Sequence, residues 1–309
     1  MNDGEIIGVD HGYAAVKSPH FTFPAGVAAH DYEPYTQKDT LEYGGKYYVV
    51  GSGRQPLLKD KTLTDDYYLM TLAAVAREIE LRNMSRTVRV HLAAGLPLTS
   101  FGREKKPFRD YLLRNRQPVQ FRFEGIDYTV MITDVSLFPQ GYAALSIQND
   151  LRDEPSVILA DIGGWTVDLM RVDNQKPDAA TCRTLEQGMI RCLDEIAEQV
   201  RRRLGLSMTA AQIESILRGD TNSIADNVRE IVDREAEICA GRLLSGIMEC
   251  GMDYHVTPVV FTGGGAALMK RCLPPSANLA RAVILDDVRL NAKAYEKIAE
   301  NLRQRKSHE

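Results

Sequence analysis

Cysteine is scarce in this chain, and its five residues stand apart at positions 182, 192, 239, 250 and 272 with no Cys-x-x-Cys pair among them. An odd, scattered set excludes a disulfide framework and suits a reducing compartment, so each is read as a small buried apolar residue. Long apolar runs are missing too. No stretch of 18 apolar residues occurs, and no apolar segment follows a basic N-terminus, so neither a membrane span nor a secretory leader is expected. The expected location is the cytoplasm. Charge of one sign is also lacking: 38 Lys and Arg stand against 42 Asp and Glu, a net charge of −4. A large nucleic-acid-binding surface is therefore not implied. What remains is ordinary for a globular protein, with 44% apolar and 26% charged residues. A length of 309 residues predicts about two domains.

The most informative stretch is Leu159-Ala160-Asp161-Ile162-Gly163-Gly164-Trp165-Thr166-Val167-Asp168-Leu169. An apolar run from Ser156 climbs into Asp161, two glycines follow, and apolar residues resume through Val172. This reads as strand, tight turn, strand. Glycine permits positive φ and close approach of a ligand to the main chain. Exposed backbone N–H groups in such a turn form a concave anion site. A carboxylate beside it suits a hydrated Mg²⁺ carried by a polyphosphate. The plain alternative is a β-hairpin with a Gly-Gly turn.

The arrangement recurs. Ile6-Ile7-Gly8-Val9-Asp10-His11-Gly12-Tyr13-Ala14-Ala15-Val16-Lys17 again reads as strand, Asp-x-Gly, strand, so Asp10-x-Gly12 pairs with Asp161-x-Gly163. A third glycine site follows a buried strand in Pro258-Val259-Val260-Phe261-Thr262-Gly263-Gly264-Gly265 and opens a helix, a junction that often faces phosphate or nucleotide.

Elsewhere the pattern is coarser. Phe21–Ala28 reads as a strand, and Leu41–Val50 as two short strands about Gly44-Gly45. Thr64-Asp65 is placed to cap a helix carrying Leu69, Leu72, Ala73, Ala76 and Ile79 at helical spacing. Val88–Ala94 reads as a strand, and Phe101–Arg116 as a basic helix with a solvated face. Val119–Phe123 and Tyr128–Val135 form a hairpin about Glu124-Gly125. Gln140 stands where a strand gives way to a helix. Arg152–Pro155 is turn-like and is the expected crossing between halves. Gln187-Gly188 precedes a helix over Met189–Leu204, Thr209 caps another, and Arg218-Gly219-Asp220 ends it. Ala225–Glu249 is the longest helical stretch. Leu290–Tyr295 opens a charged helix expected to return to the first domain.

Two Asp-x-Gly hairpins and a distal strand–Gly-Gly-Gly–helix junction resemble the actin/Hsp70/sugar-kinase superfamily. Further pieces are similar to actin-like proteins of the plasmid-segregation ParM (StbA) type. They are Val9–Tyr13 with Lys17, Gly44–Gly51, Gly95-Leu96-Pro97, Phe138-Pro139-Gln140-Gly141, Asp161–Asp168, Thr262–Gly265 and Asn291–Tyr295. The resemblance spans nearly the whole chain. It departs at Tyr13, where many actins carry a small hydroxyl residue, at Gln140, where ParM carries Glu, and at Ala294, where Gly is frequent.

The resemblance implies an α/β, actin-like (ribonuclease H-like) duplicated fold with two domains around a central nucleotide cleft. The expected boundaries are 1–153 plus 287–309 for domain I, with a small subdomain at about 30–90, and 154–286 for domain II. It implies ATP, or GTP, with Mg²⁺. Asp10 and Asp161 would hold the metal's waters, with Asp168 either assisting or making a structural salt bridge. Gln140 would orient the attacking water. Lys17 would meet the phosphates as a point charge. The backbones of Gly12, Tyr13, Gly163 and Gly164 would donate to phosphate oxygens. Trp165 and Thr166 belong to the same nucleotide hairpin, although packing is an alternative for Trp165. Gly188 would lie near the base, and Gly263, Gly264 and Gly265 beside the purine and α-phosphate. Arg234 and Glu235 are weaker ribose candidates.

The implied activity is ATP hydrolysis coupled to polymerisation of the chain with itself, driving plasmid DNA segregation. DNA would be reached through an adaptor protein, because no reader motif or basic stripe is present. No direct nucleic-acid or membrane partner is expected. The alternatives are a small-molecule kinase on the same fold and a cell-shape or division actin.

Overall fold

The computed structural model describes residues 4–53, 60–151, 153–220, 223–274 and 277–308. Arg152, at the expected crossing, lies outside the described residues. The chain divides into two compact units, Met1–Ile147 with Arg289–Glu309, and Gln148–Val288.

In the first unit the strands are β1 (Glu5–His11), β2 (Ala15–Lys17), β3 (Thr22–Pro24), β4 (Val27–His30), β5 (Thr40–Tyr43), β6 (Lys46–Val50), β7 (Thr87–Leu96), β8 (Val119–Phe123) and β9 (Ile126–Pro139). Among the described residues they form one sheet in the order β3-β2-β1-β7-β9-β8-β5-β6-β4. Phe21–Ala28 is thus two short strands rather than one. β1, β7 and β9 run parallel. β1 is buried from Ile6 onward and reads as a near-continuous apolar run, as a strand covered on both faces should.

Helix α1 (Asp66–Leu81) lies in the core of this unit, and Tyr67, Tyr68, Met70 and Val75 are buried along with the predicted stripe. It is covered more widely because Phe108 and Tyr111 of α2 (Phe101–Leu112) join the same core. Asp65 does occupy the N-cap of α1, but its side chain makes no capping bond; it pairs with Arg114 instead. Arg109 pairs with Asp134. The basic face of α2 is therefore partly neutralised within the chain, and the helix ends at Leu112, short of Arg116. A short helix, α3 (Tyr142–Ser146), follows β9.

The second unit holds β10 (Ser156–Ile162), β11 (Val167–Asp173) and β12 (Lys176–Leu185), then α4 (Met189–Leu204), α5 (Ala210–Arg218) and α6 (Asp226–Glu249). β13 (Val259–Thr262), α7 (Ala266–Cys272) and β14 (Ala282–Ile284) complete it. Gly205 and Gly219 close α4 and α5 in the left-handed conformation, and Thr209 with Gln212 forms a full capping box. The sheet order is β12-β11-β10-β13-β14.

That order repeats β3-β2-β1-β7-β9 of the first unit strand for strand. In both, three antiparallel neighbours are followed by two parallel ones. The duplicated α/β architecture is thus present at the level of topology, with each unit built around its own apolar cluster. The last helix, α8 (Leu290–His308), packs on β1 and β7 of the first unit.

Candidate functional site

Each copy of the repeated hairpin places an aspartate near the end of its first strand. In the first unit Asp10 is nearly buried on β1, and both carboxylate oxygens are engaged. Gln140 Nε2 donates to Oδ1 at 2.7 Å, and Lys17 Nζ to Oδ2 at 3.2 Å. Burial works against ionisation of this carboxyl, but Lys17, the Gln140 amide and Lys61 outweigh it and hold its pKa below the usual range. Three residues read separately from the sequence, Asp10, Lys17 and Gln140, are therefore one hydrogen-bonded group.

Gln140 is placed by the turn after β9. Its N–H bonds the Leu96 carbonyl, and its own carbonyl accepts from Tyr142. Gly141 follows at φ 68°, and its N–H is held by the buried Asn291 Oδ1 of α8 at 3.0 Å. With its amide nitrogen on Asp10, the Gln140 carbonyl oxygen is the atom left to accept from a water.

Beneath the hairpin tip lies a group that the sequence did not reveal. Lys61 is 4% exposed, and its Nζ donates to the His11 carbonyl at 2.6 Å. It sits 5.1 Å from the Tyr13 ring centroid and 5.5 Å from that of Tyr67. Tyr13 turns edge-on to Tyr67, so its side chain belongs to this aromatic cluster and its backbone is what the tip can offer a ligand. His11 donates or accepts at Thr71 Oγ1, 2.8 Å away. Burial, then Lys61, push its pKa down to about 3, so it is neutral. Nothing in the run Asp60-Lys61-Thr62 marks the lysine as buried, since a lone lysine in a polar loop carries no periodicity.

In the second unit Asp161 is nearly buried on β10, directly opposite Asp168 of β11. Two like charges in facing positions of an antiparallel pair repel, and a cation between them or their waters would relieve this. Asp168 also accepts from Thr184 Oγ1 at 2.6 Å. Among the described residues no group of three or more His, Cys, Asp or Glu is arranged to ligate a metal directly. The acidic residues present suit a metal held through water.

The turn itself requires one correction. The Gly163 N–H is taken by the Thr166 carbonyl at 2.8 Å, so it closes the turn and is not a phosphate donor. Among the described residues, the N–H groups of Gly164, Trp165 and Thr166 make no backbone–backbone hydrogen bond, so these are the donors the turn can offer a ligand. The Trp165 Nε1 is buried without a partner.

The turn is stapled to the start of α4. Met189 and Ile190 N–H groups donate to the Gly163 and Gly164 carbonyls at 2.9 and 2.8 Å, and Gly188 N–H donates to Trp165 O at 3.0 Å. A Cβ at Gly188 would lie 2.2 Å from the Trp165 carbonyl carbon, so only glycine fits. Gly188 thus backs the hairpin. Across the sheet, Gly263 has φ +86°, and a Cβ there would lie 2.3 Å from Asp161 Oδ1. The Gly265 N–H bonds the Ile162 carbonyl at 3.0 Å. The glycine junction after β13 and the Asp161 hairpin therefore form one surface. Glu235 pairs with Arg203, which engages it within the unit.

Residues 8–142 match the family model for the N-terminal domain of actin-like proteins, and residues 159–274 match that for the C-terminal domain of the archaeal MreB-like actin homologue. The chain belongs to the actin-like superfamily. The solved structures this actin-like protein resembles agree. An archaeal actin homologue in complex with ADP aligns with a TM-score of 0.76 at 18% identity, over 96% of this chain and 99% of that one. A 15-stranded ParM filament from Clostridium botulinum aligns at 0.74 and 17% identity, over 97% and 100%. ParM from Bacillus thuringiensis with ATP aligns at 0.71 and 15% identity, over 98% and 100%. No curated protein matches this chain.

Proposed function

We propose that this actin-like protein is a filament-forming ATPase that binds ATP, with GTP as the alternative nucleotide, together with Mg²⁺. The observation that carries the reading is the duplicated acidic hairpin, one copy bearing the Asp10–Lys17–Gln140 group and the other the Asp161–Asp168 pair. Each copy presents an anionic residue beside backbone donors. That combination suits a phosphate chain carrying a hydrated divalent cation better than a phosphate alone.

When bound, the metal would supply charge neutralisation at the phosphates, with Asp10, Asp161 and Asp168 as the residues to hold its waters. The rest falls to the chain's own groups. Lys17 is a point charge for phosphate oxygens. The Gly12 and Tyr13 backbone and the Gly164, Trp165 and Thr166 N–H groups bind and orient the phosphates. Gly263 and Gly265 let the junction close on Asp161 and Ile162, and Gly264, open on its Cβ side, would lie beside the nucleotide. Gln140, fixed by its bond to Asp10, orients a water through its free carbonyl. Positioning and electrostatics carry most of phosphoryl transfer to water.

The ParM likeness extends the proposal to plasmid DNA segregation in the cytoplasm, with a separate DNA-binding adaptor as partner. The test is sedimentation with light scattering, alongside phosphate release, with and without Mg-ATP. Pelleting that requires nucleotide, with phosphate released as filaments turn over, is the expected result. Transfer of labelled phosphate to a sugar or acid without pelleting would replace this reading with a kinase.

A further inference from the structure

The peptide group that joins His11 to Gly12 is held by a buried charge. Lys61 Nζ donates to the His11 carbonyl at 2.6 Å, and the same nitrogen lies 5.1 Å from the centroid of the Tyr13 ring. One ammonium group thus grips the residue before Gly12 and the residue after it. The Tyr67 ring of α1, 5.5 Å away, completes the seat.

The loop before α1 is built to deliver this lysine. Asp60 Oδ1 accepts from the Thr62 N–H and from Thr62 Oγ1, both at 2.8 Å, which closes a turn around Lys61. Further along, the Thr64 carbonyl accepts from the Tyr111 hydroxyl at 2.9 Å, and that hydroxyl accepts in turn from the Tyr68 N–H at 2.7 Å. Burying an ammonium group is costly. A methionine would fill the same seat without that cost, so packing alone does not account for the lysine.

The two copies of the hairpin differ at this point. In each, the residue after the aspartate offers its carbonyl to an anchor. Ile162 accepts from the Gly265 N–H at 3.0 Å, whereas His11 accepts from Lys61. The N–H of the next residue belongs to the same peptide group. In the second copy it is that of Gly163, taken by the Thr166 carbonyl. In the first it is that of Gly12, which among the described residues makes no backbone–backbone hydrogen bond. The C=O and N–H of a planar trans peptide point in opposite directions, so fixing the oxygen at Lys61 fixes the aim of the Gly12 N–H. A cation on the oxygen also polarises the peptide and strengthens its N–H as a donor. The neutral anchor therefore stands where the N–H is used inside the turn, and the charged anchor where it is open.

We propose that Lys61 is a positioning residue of the first hairpin, aiming and polarising the Gly12 N–H toward an oxygen of the bound polyphosphate. This rests on the reading of that hairpin as a phosphate site. The two lysines divide the work. Lys17 is partly exposed, and a Cβ at Gly12 would lie 2.9 Å from its Nζ, so it approaches the same residue and is open to direct contact with phosphate. Lys61 is buried and acts through the peptide alone.

The test follows amide and lysine-ammonium resonances of the full-length, nitrogen-15-labelled chain as inorganic triphosphate, and separately Mg-ATP, is added. In wild type the Gly12 N–H is expected to shift downfield, and the Lys61 ammonium, slow to exchange because it is buried, to shift along the same titration curve. Lys61→Met is expected to bind triphosphate about tenfold more weakly, the worth of a charge-assisted hydrogen bond, and to lose most of the Gly12 shift. Lys61→Gln keeps a neutral donor for the His11 carbonyl and is expected to fall between the two. The Gly164 and Thr166 amides of the second hairpin should respond as in wild type. A Gly12 amide that shifts equally in wild type and Lys61→Met overturns the role of Lys61 and leaves the hairpin a phosphate site. So does a Lys61 ammonium that stays still while the Gly12 amide moves, a measurement on the wild-type chain that needs no variant to fold. If neither hairpin responds to triphosphate or to Mg-ATP, the phosphate reading itself falls, and the role of Lys61 with it.

Discussion

At Asp10 one carboxylate holds two partners of different kinds, Lys17 and the amide of Gln140, and the proposed role of Gln140 can be tested through them. The Gln140 amide donates through nitrogen to Asp10 Oδ1 and keeps a carbonyl oxygen for water. Gln140→Ala removes both at once. Hydrolysis is expected to fall by about a hundredfold, the loss seen when one positioned polar group at a reacting centre is deleted. A second readout separates this from general damage. The Asp10 pKa is held low by Lys17, Gln140 and Lys61 against the effect of burial. Removing Gln140 raises it, so the acid limb of the activity profile should move to higher pH. Lost activity with an unmoved acid limb would show that the Gln140–Asp10 bond does not govern the carboxylate. Lys61 acts on the same carboxylate, yet the sequence offers no sign of it. A solitary lysine in a polar loop becomes legible only when the fold buries it.

At the level of elements, the first unit is tied together by Glu78, which lies on α1 and is fully buried. It accepts from Ser18 Oγ at 2.5 Å and from the His20 backbone N–H at 3.1 Å, and it pairs with Arg82. Arg82 reaches on to Glu296 of α8, which accepts from the Gly8 N–H of β1. One carboxylate thus joins the loop after β2, helix α1 and, through Arg82, helix α8. Burial raises its pKa, but the Ser18 and His20 hydrogen bonds and Arg82 more than offset this, and the pKa stands below the ordinary 4.5. The folded state therefore holds the proton less tightly than the unfolded one. The stabilisation is complete above the unfolded value and is lost as pH falls below it through the folded one. Glu78→Gln is expected to destabilise by about 3 kcal/mol, the cost of breaking a buried pair by removing one partner. It should also flatten the acid limb of stability, measured by urea unfolding across pH 3 to 6. An acid limb as steep as wild type would place the titration elsewhere.

The elements also show where sequence pattern suffices. Helix α4 runs from Met189 to Leu204 as predicted, because glycine stands on each side of one amphipathic stretch. Strand β12 was not predicted. Its residues are exposed or half-buried along their whole length, so no period-two alternation appears, and β11 alone holds it by register. The same limit applies to the Asp161 hairpin. Its strands, glycines and carboxylates were legible from pattern, but the internal use of the Gly163 N–H was not, because a turn's closing bond depends on backbone angles. Gly188→Ala tests the staple between this hairpin and α4. The added methyl meets the Trp165 backbone, so a loss of about 2 kcal/mol in thermal unfolding is expected, in the range for overpacking a tight site. Unaltered stability would mean that the turn can move away freely.

Over the whole molecule, the two repeated sheets set apart what binding and hydrolysis should each control. A ligand that binds only the folded state at a hundred times its Kd stabilises by about 2.7 kcal/mol, so Mg-ATP should raise the unfolding midpoint of wild type. Asp161→Asn keeps the shape of β10 but removes one of the two facing charges of the Asp161–Asp168 pair. If that pair holds the metal's waters, the variant should lose hydrolysis and most of the Mg-dependent part of the stabilisation, while nucleotide without Mg²⁺ stabilises it as it does wild type. Gln140→Ala lies just after β9 of the other sheet and should separate binding from hydrolysis. It should bind Mg-ATP, assemble, and release phosphate slowly. If loss of the terminal phosphate is what loosens the polymer, its filaments must outlive wild-type filaments by about the factor by which hydrolysis has slowed, since the disassembly clock is then the chemical step. Light-scattering decay after a single addition of ATP measures that lifetime directly. Filaments of Gln140→Ala that decay at the wild-type rate, with hydrolysis demonstrably slowed, would uncouple polymer stability from the chemistry at Asp10.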